Sequence, residues 1–117
     1  ILSIFAGTPR AVPIAISMME RHPLGAQAFM PLSDHEWLVV VAPTNADDSA
    51  PDFDGLRCFR ARGDQGVTYA PNVWHHPLLV LQPQDFLITD RAGPEGETGN
   101  PNLQEHWEDA PVAVVAV

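Results

Sequence analysis

Glu20, His22 and Gln27 form a group of side chains whose types and spacing could bind a metal ion. Glu20 and His22 are two residues apart, so a β-strand would place both on one face. The Pro-Leu-Gly sequence at 23–25 predicts a turn, after which the next strand could bring Gln27 beside them. His76 is expected to complete the group from a distant strand. Carboxylate, imidazole and amide ligands together suit a borderline divalent ion such as nickel, manganese, iron or zinc.

Two adjacent histidines, His75 and His76, compete for the last place in this group. Successive strand residues face opposite sides, so an extended backbone cannot direct both imidazoles into one pocket. The neighbouring Trp74 and Pro77 indicate a packed bend around His75. We therefore predict that His76 faces the site and that His75 is structural.

Short strands separated by turn residues must position these side chains. The run 36–42 has a Trp-Leu-Val-Val-Val core that is expected to be buried on both faces. No sustained helical period and no internal repeat occurs in the sequence. Many short strands with turn signals at this spacing predict an all-β barrel or sandwich. The expected strands are 2–5, 12–20, 27–31, 36–42, 56–61, 67–69, 78–81 and 85–89.

The chain is predicted to form a single domain, because 117 residues are enough for one hydrophobic core but not for two. The barrel is assigned to residues 1–91. Residues 92–111 contain Gly, Pro, Asn and acidic residues without a period, and they are predicted to form a mobile acidic loop or tail. Residues 112–117 are expected to return as an edge strand.

The charge balance and the cysteine content exclude several classes of partner and site. The net charge is −9, with six arginines and no lysine, which argues against binding to nucleic-acid phosphates or to an anionic membrane surface. Cys58 is the single cysteine, so neither an internal disulfide nor a Cys-x-x-Cys zinc site can form. The longest apolar runs are far too short to span a bilayer. We therefore expect a reducing, cytoplasmic setting.

The candidate ligands also carry a resemblance to the cupins, which are small jelly-roll barrels with two metal-binding motifs. Glu20-x-His22-x4-Gln27 is similar to the first cupin motif, with Glu and Gln substituted. The stretch from Pro71 to His76 is similar to the second motif. This resemblance implies a cupin-type double-stranded β-helix, that is, a jelly-roll barrel.

A narrower resemblance rests on three blocks of sequence in a fixed order with similar gaps. The blocks resemble the ureidoglycolate lyase family, and the resemblance extends roughly over residues 9 to 92. They are Glu-Arg-His-Pro-Leu-Gly-Ala-Gln-Ala-Phe at 20–29, Gly-Val-x-Tyr followed by Asn-Val-Trp-His-His-Pro-Leu within 66–78, and Asp-Phe-Leu-Ile-Thr-Asp-Arg at 85–91.

The family resemblance implies cleavage of ureidoglycolate to glyoxylate and urea in allantoin and purine breakdown. The substrate is a carbinolamine with a carboxylate, so its cleavage needs a base, an acid and a cation. The resemblance implies catalytic roles for Glu20, His22 and His76, with Glu20 or His76 as the base. It also implies a homodimer and nickel or a similar divalent ion, held by Glu20, His22, Gln27 and His76.

An arginine is the natural residue to hold the substrate carboxylate, because a guanidinium can make two parallel hydrogen bonds to it. The family commonly has an arginine where Ala6 stands in this sequence. We therefore assign the role to Arg10 or Arg91 rather than to Arg60. Trp74, within the second block, is also assigned to substrate binding.

Two other classes of function would use the same predicted site. A different metal-dependent cupin enzyme would share the ligands but act on another substrate. A diverged, non-catalytic cupin would bind a small metabolite without turning it over. Release of glyoxylate from ureidoglycolate would separate the lyase from both, and metal analysis would separate these two from each other.

Overall fold

Twelve β-strands and one short 3₁₀ helix make up the computed structural model, which describes residues 1–117. No helix is long and apolar enough to cross a membrane. The strands are β1 (Leu2–Gly7), β2 (Ile14–Ile16), β3 (Met18–Arg21), β4 (Gln27–Pro31), β5 (Trp37–Ala42), β6 (Arg57–Ala61), β7 (Val67–Tyr69), β8 (Trp74–His75), β9 (Leu79–Val80), β10 (Gln84–Thr89), β11 (Gln104–Trp107) and β12 (Ala113–Val115), and the 3₁₀ helix is Phe53–Gly55.

Two antiparallel sheets enclose the interior of the molecule. The first has the strand order β1-β10-β4-β7, and the second has the order β11-β3-β8-β5-β6, with β9 also paired to β5. A small third sheet joins β2 and β12. The fold is therefore all-β, a single domain and consistent with a cupin-like β-sandwich, which confirms the predicted fold class.

Strand β5 is buried on both faces, as its sequence predicts, and it divides the core into two clusters. The inter-sheet cluster lies between the two large sheets, whereas the outer cluster lies between the second sheet and the β2–β12 pair. The inter-sheet cluster comprises Phe29, Trp37, Val39, Ala61, Tyr69, Val80, Phe86 and Ile88. The outer cluster comprises Ile14, Ile16, Met19, Leu38, Val40, Ala42, Trp74 and Leu79.

Strands β3 and β8 continue the alternation that β5 establishes. Met19 and Trp74 belong to the outer cluster, so their neighbours Glu20 and His75 face the interior between the two large sheets. Glu20 and His75 are also direct partners in antiparallel register, and cross-strand partners share a face. The register of β8 therefore selects His75, and not His76, to face the interior beside Glu20.

Residues 92–111 contain strand β11, which the sequence does not predict. β11 pairs with β3, from Gln104 opposite Arg21 to Trp107 opposite Met18. Its Gln-Glu-His-Trp sequence lacks the apolar alternation of a half-buried strand, and most of its residues are exposed. β12 lies within 112–117 and pairs with β2. The loop after β10 is therefore held at both ends by paired strands.

Candidate active site

Three largely buried side chains converge on the interior side of β3 and β8. His75 Nε2 lies 3.7 Å from Glu20 Oε1, and His22 Nε2 lies 4.0 Å from the same oxygen. One ligand atom of each residue lies within 4.8 Å of the ligand atoms of the other two. His75 is 1% exposed, so one wall of this group is closed to solvent. Glu20 and His22 share a side, as their spacing predicts.

Hydrogen bonds to backbone carbonyls fix the proton positions on both imidazole rings. Nδ1 of His22 donates to the carbonyl of Asn102 at 2.7 Å, and Nδ1 of His75 donates to the carbonyl of Val73 at 2.9 Å. A carbonyl oxygen can only accept, so each Nδ1 carries a hydrogen, and in the neutral form of each ring Nε2 keeps a lone pair. Both Nε2 atoms are buried and have no hydrogen-bond partner.

Gln27 joins this group from β4. It lines the same cavity as Glu20 and His22, and its Oε1 is also buried without a partner. Two imidazole nitrogens and a carboxylate oxygen therefore converge, and Gln27 lines the cavity beside them. The buried Nε2 atoms of both histidines and Oε1 of Gln27 have no hydrogen-bond partner. A divalent metal fits this donor set, and histidines that bind metals typically donate their other ring nitrogen to a carbonyl.

Burial shifts the pKa values of Glu20 and His75. Desolvation lowers the pKa of His75 to about 4, so its ring is neutral near pH 7. Desolvation raises the pKa of Glu20 above its ordinary value of 4.5; the charge of His22 opposes this shift, and the nearby Glu105 and Asp90 add to it. A neutral imidazole can bind a metal, and a carboxyl group with increased proton affinity can exchange a proton.

Tyr69 packs directly on the site, which the sequence does not reveal. Its ring stacks on that of His75, with centroids 4.0 Å apart and an angle of 6° between the planes. Burial and the charge of Glu20 raise the pKa of its phenol, so the hydroxyl stays protonated. Alternation with Val67 predicts a half-buried strand residue here, but it does not show which side chain Tyr69 contacts.

A cavity of about 570 Å³ opens onto Glu20, His22 and Gln27. Its outer wall is formed by the residues that follow β10, and among them Arg91 is the only arginine that lines it. A second cavity of about 290 Å³ adjoins the first and shares Glu20, Gln27 and Asp90 with it. The wall of the first cavity beyond β10 consists of Asp90, Arg91, Gly93, Pro94, Glu97, Gly99, Asn100, Pro101, Asn102 and Leu103.

Trp74 and His76 lie away from the site that was predicted for them. Trp74 is buried in the outer cluster, with the guanidinium of Arg21 4.5 Å above its ring. His76 is also buried; its Nδ1 donates to the Pro77 carbonyl at 2.8 Å, and it does not line the cavity. Residues 74 and 76 lie on the same side of an extended strand. Both predictions were therefore wrong for one reason, namely that they assigned the opposite face of this strand to the site. His75, predicted to be structural, is the histidine beside Glu20.

The structure distinguishes among the three arginines that were considered for binding the substrate carboxylate. Arg91 lines the cavity, whereas Arg10 and Arg60 do not. Arg10 is exposed on the side of His76. Burial lowers the pKa of His76; its hydrogen bond to Pro77 opposes this shift, and the charge of Arg10 adds to it. Arg60 pairs with Glu36 at 3.4 Å on the surface. Arg91 is therefore the candidate that the cavity supports.

The all-β sandwich is that of a cupin-like protein, and the two histidines and the carboxylate that converge beside its cavity could hold a metal ion. A family model described as ureidoglycolate lyase matches residues 1–115 of the chain. The chain belongs to the ureidoglycolate lyase family. The match also extends beyond the predicted resemblance, because it includes the region of β11 and β12.

Several curated relatives are named ureidoglycolate lyase. The protein from Agrobacterium fabrum is 51% identical over 115 residues, which are 97% of this chain and 64% of that protein. The protein from Rhizobium etli is 47% identical over 115 residues, which are again 97% of this chain and 64% of that protein. The protein from Burkholderia mallei is 44% identical over 120 residues, 99% of this chain and 68% of that protein. The chain thus spans less than two thirds of the length of the first two relatives.

Proposed function

We propose that this chain carries the active site of a ureidoglycolate lyase, which splits ureidoglycolate into glyoxylate and urea in purine catabolism. The observation that carries the proposal is the convergence of Glu20, His22 and His75 beside a cavity that also contains Arg91. Family membership and the names of the relatives support the same reaction.

The reaction moves one proton and breaks one carbon–nitrogen bond. A base takes the proton of the substrate hydroxyl, and the oxygen forms its double bond to carbon. The carbon–nitrogen bond breaks, and its electron pair leaves with the urea nitrogen, which accepts a proton. In the metal-free site burial raises the pKa of the Glu20 carboxyl group towards the range in which a residue accepts and returns a proton, so Glu20 suits both transfers there.

The residues around Glu20 would orient the substrate for this transfer. Arg91 offers the positive charge that a carboxylate needs, in a cavity whose other polar side chains, apart from His22, are acids and amides. Gln27 presents an amide oxygen that can accept a hydrogen bond from the urea N–H groups. His22 and His75 are each held in one tautomer, so the direction of their lone pairs is fixed before the substrate binds.

We propose a divalent metal such as nickel as the cofactor of this site. Glu20, His22 and His75 would hold it, with Gln27 beside them, so the set differs from the predicted one in that His75 replaces His76. A metal bound there would supply a positive charge that polarises a substrate oxygen. The unpartnered Nε2 and Oε1 atoms support this assignment.

We also propose that the protein is a cytoplasmic homodimer. β1 is the edge strand of its sheet, and the side chains of Leu2, Ile4 and Phe5 on it are exposed. An apolar edge strand is a surface that a second copy could cover. The unpaired Cys58 fits a reducing compartment. Sedimentation of the purified protein tests the dimer.

The lyase activity is tested by incubating the full-length protein with ureidoglycolate, with and without added Ni²⁺ after chelation. We expect glyoxylate and urea in equal amounts, and loss of both products in Glu20→Gln. Ammonia in place of urea would indicate hydrolysis of the amide bond and would contradict the proposal. The proposal would also be contradicted if ureidoglycolate decayed only at its uncatalysed rate in the presence of the folded, nickel-loaded protein.

A further inference from the structure

Arg91 and Glu97 form an ion pair in the wall of the cavity that contains Glu20 and His22. Nη1 of Arg91 lies 3.2 Å from Oε1 and 3.3 Å from Oε2 of Glu97. The side chains are 26% and 21% exposed, respectively, so both are partly shielded from water. The pair therefore lies at the boundary between the cavity and the solvent.

Glu97 contacts only one nitrogen of the guanidinium. Nε and Nη2 of Arg91 have no hydrogen-bond partner in the protein, and neither atom is buried. Nε and Nη2 form an edge with two parallel N–H donors, which matches the two oxygens of a carboxylate. Arg91 is thus anchored at one nitrogen while a two-donor edge stays free.

Two glycines permit this close arrangement. A Cβ at Gly93 would overlap Oε2 of Glu97. A Cβ at Gly25 would lie 3.0 Å from the Cβ of Arg91, so the stem of Arg91 packs directly against the turn after β3. The surrounding chain therefore restricts the positions of Arg91 and Glu97, unlike those of two free surface side chains.

The other charges of the cavity explain why an anchor would be needed. Glu20 and Asp90 line the same cavity and carry the opposite charge to Arg91. A free guanidinium could pair with either carboxylate, and its two-donor edge would then be lost to a ligand. Glu97 already satisfies Nη1 from the outer wall, so it holds the side chain away from these competitors.

We propose that Glu97 is a positioning residue for Arg91, which it anchors through Nη1 so that Nε and Nη2 bind the carboxylate of an α-hydroxy or α-keto acid in the cavity. The inference rests on the proposed function in one respect, since ureidoglycolate and glyoxylate are acids of this class. The opposite role, in which Glu97 competes with the substrate for Arg91, would require Glu97 to occupy the two-donor edge, and it does not.

The direction in which KM changes in Glu97→Ala distinguishes these two roles. It is measured by steady-state kinetics of the full-length, metal-loaded protein. Glu97→Ala should raise KM roughly threefold to fivefold and change kcat by less than about twofold, because a partly exposed ion pair is lost without altering the reacting groups. Glu97→Gln keeps an oxygen acceptor and should recover most of the loss. Glu95→Gln removes an equal charge from an exposed residue outside the cavity and should leave KM unchanged. A KM that falls or stays constant in Glu97→Ala would overturn the proposal.

Gly93→Ala offers a second test that changes neither charged residue. The backbone of Gly93 is not in the left-handed region, so alanine adds only a Cβ, which must displace the carboxylate of Glu97. KM should rise as it does in Glu97→Ala, while the melting temperature stays that of the wild type. A Gly93→Ala protein with wild-type KM would contradict the anchoring role.

Ligand binding without turnover separates this inference from the lyase assignment. Glycolate is an α-hydroxy acid, and glycolamide is its uncharged counterpart; both can be titrated by NMR. The wild type should bind glycolate in preference to glycolamide, and Arg91→Lys should weaken glycolate binding roughly tenfold, because a point charge cannot reproduce a bidentate contact. If glycolate binds in this way but ureidoglycolate is not cleaved, the lyase proposal fails and the inference stands. If ureidoglycolate is cleaved but Glu97→Ala binds glycolate as the wild type does, the inference alone fails.

Discussion

Single residues determine which nitrogen lone pairs are available at the site. The backbone carbonyls of Asn102 and Val73 take the Nδ1 hydrogens of His22 and His75, and both Nε2 atoms are left free beside Glu20. No charged residue is needed to fix the tautomers. Binding of the proposed metal would therefore depend on backbone positions as much as on the three side chains.

His75→Gln should abolish turnover while the fold is retained, and His76→Gln should lower stability slightly while turnover is retained. Loss of the Nε2 ligand is expected to lower kcat/KM roughly hundredfold or more, since a metal ligand is removed. His76→Gln loses the hydrogen bond to Pro77, so it should cost about 1 kcal/mol of stability and leave activity near that of the wild type. Parallel assays and urea titrations measure both effects. Wild-type activity in His75→Gln would contradict the placement of the two histidines.

Asn102→Ala should weaken metal binding although Asn102 is not a ligand. Its side-chain oxygen accepts the backbone N–H of Leu24 at 2.7 Å, which fixes the position of its carbonyl against His22. Loss of such an indirect contact typically lowers metal affinity about tenfold to a hundredfold. Competition with a chelating dye measures the affinity for Ni²⁺. Asn102→Asp keeps the acceptor and should restore binding; equal affinities in all three proteins would refute the prediction.

The lowered pKa of His75 predicts that the metal-free protein loses stability in mild acid. The folded pKa is about 4 and the ordinary value is 6.5, so between these values the unfolded chain binds a proton that the folded chain does not. The stability contribution of neutral His75 is complete above pH 6.5 and is lost as the pH falls to about 4. The free energy of unfolding that is lost amounts to at most about 3 kcal/mol. The raised pKa of Glu20 acts in the opposite direction, since its contribution is present at low pH and is lost as the pH rises through the folded pKa.

His75→Gln provides the control for this pH dependence. Urea unfolding with a chelator present, at pH 7 and at pH 4.5, gives the change in stability for each protein. The difference between wild type and variant isolates the contribution of His75, because the other titrating groups are common to both. A wild type and a variant with the same loss of stability would show that His75 is not protonated on unfolding.

The length of the strands determines which features of this site can be predicted from the sequence and which cannot. The burial of β5 on both faces and the shared side of Glu20 and His22 follow from local alternation, so both could be predicted. β8 is two residues long, which is too short to reveal its own parity. Its orientation is set by pairing with Glu20 of β3 and with Val41 of β5, and these contacts are tertiary. For this reason local alternation indicates that only one of the two histidines faces the site, and the choice of His76 over His75 had no local signal to correct it.

Strand β11 is held to the sandwich by a buried arginine more than by apolar side chains. Arg21 of β3 donates from Nε to Gln104 of β11 at 2.7 Å, and from Nη1 and Nη2 to Asp48 at 2.6 and 2.9 Å. Its guanidinium also lies over Trp74. This arrangement explains why a polar segment without alternation forms a strand that the sequence does not reveal.

Arg21→Met should therefore loosen β11 selectively. Methionine keeps an apolar stem over Trp74 but cannot bond to Gln104, so amide hydrogen exchange at 104–107 should accelerate about tenfold. Exchange in β5 should not change. Arg60→Met, at a surface arginine paired only with Glu36, is the matched control. Unchanged protection of β11 in Arg21→Met would show that the strand is held by other contacts.

The whole molecule should be stabilised by a metal, because the candidate ligands come from separate parts of the chain. Ni²⁺ at a free concentration of about a hundred times its Kd should add about 2.7 kcal/mol to the free energy of unfolding, and a chelator should remove it. His75→Gln should gain little under the same conditions. Calorimetric melting curves at several Ni²⁺ concentrations measure this. A wild-type melting temperature that does not respond to nickel, zinc or manganese would contradict the metal assignment.

The hydrogen bond between His22 and Asn102 has a consequence for the order of folding. It joins residues 80 positions apart in the chain, and bringing such distant segments together is slow compared with forming a hairpin. A chain emerging from the ribosome cannot complete the site until the segment around Asn102 has docked beside β3. We therefore expect the proposed metal to bind only after this docking, so that the rate of metal binding would report on the step that brings the two distant segments together.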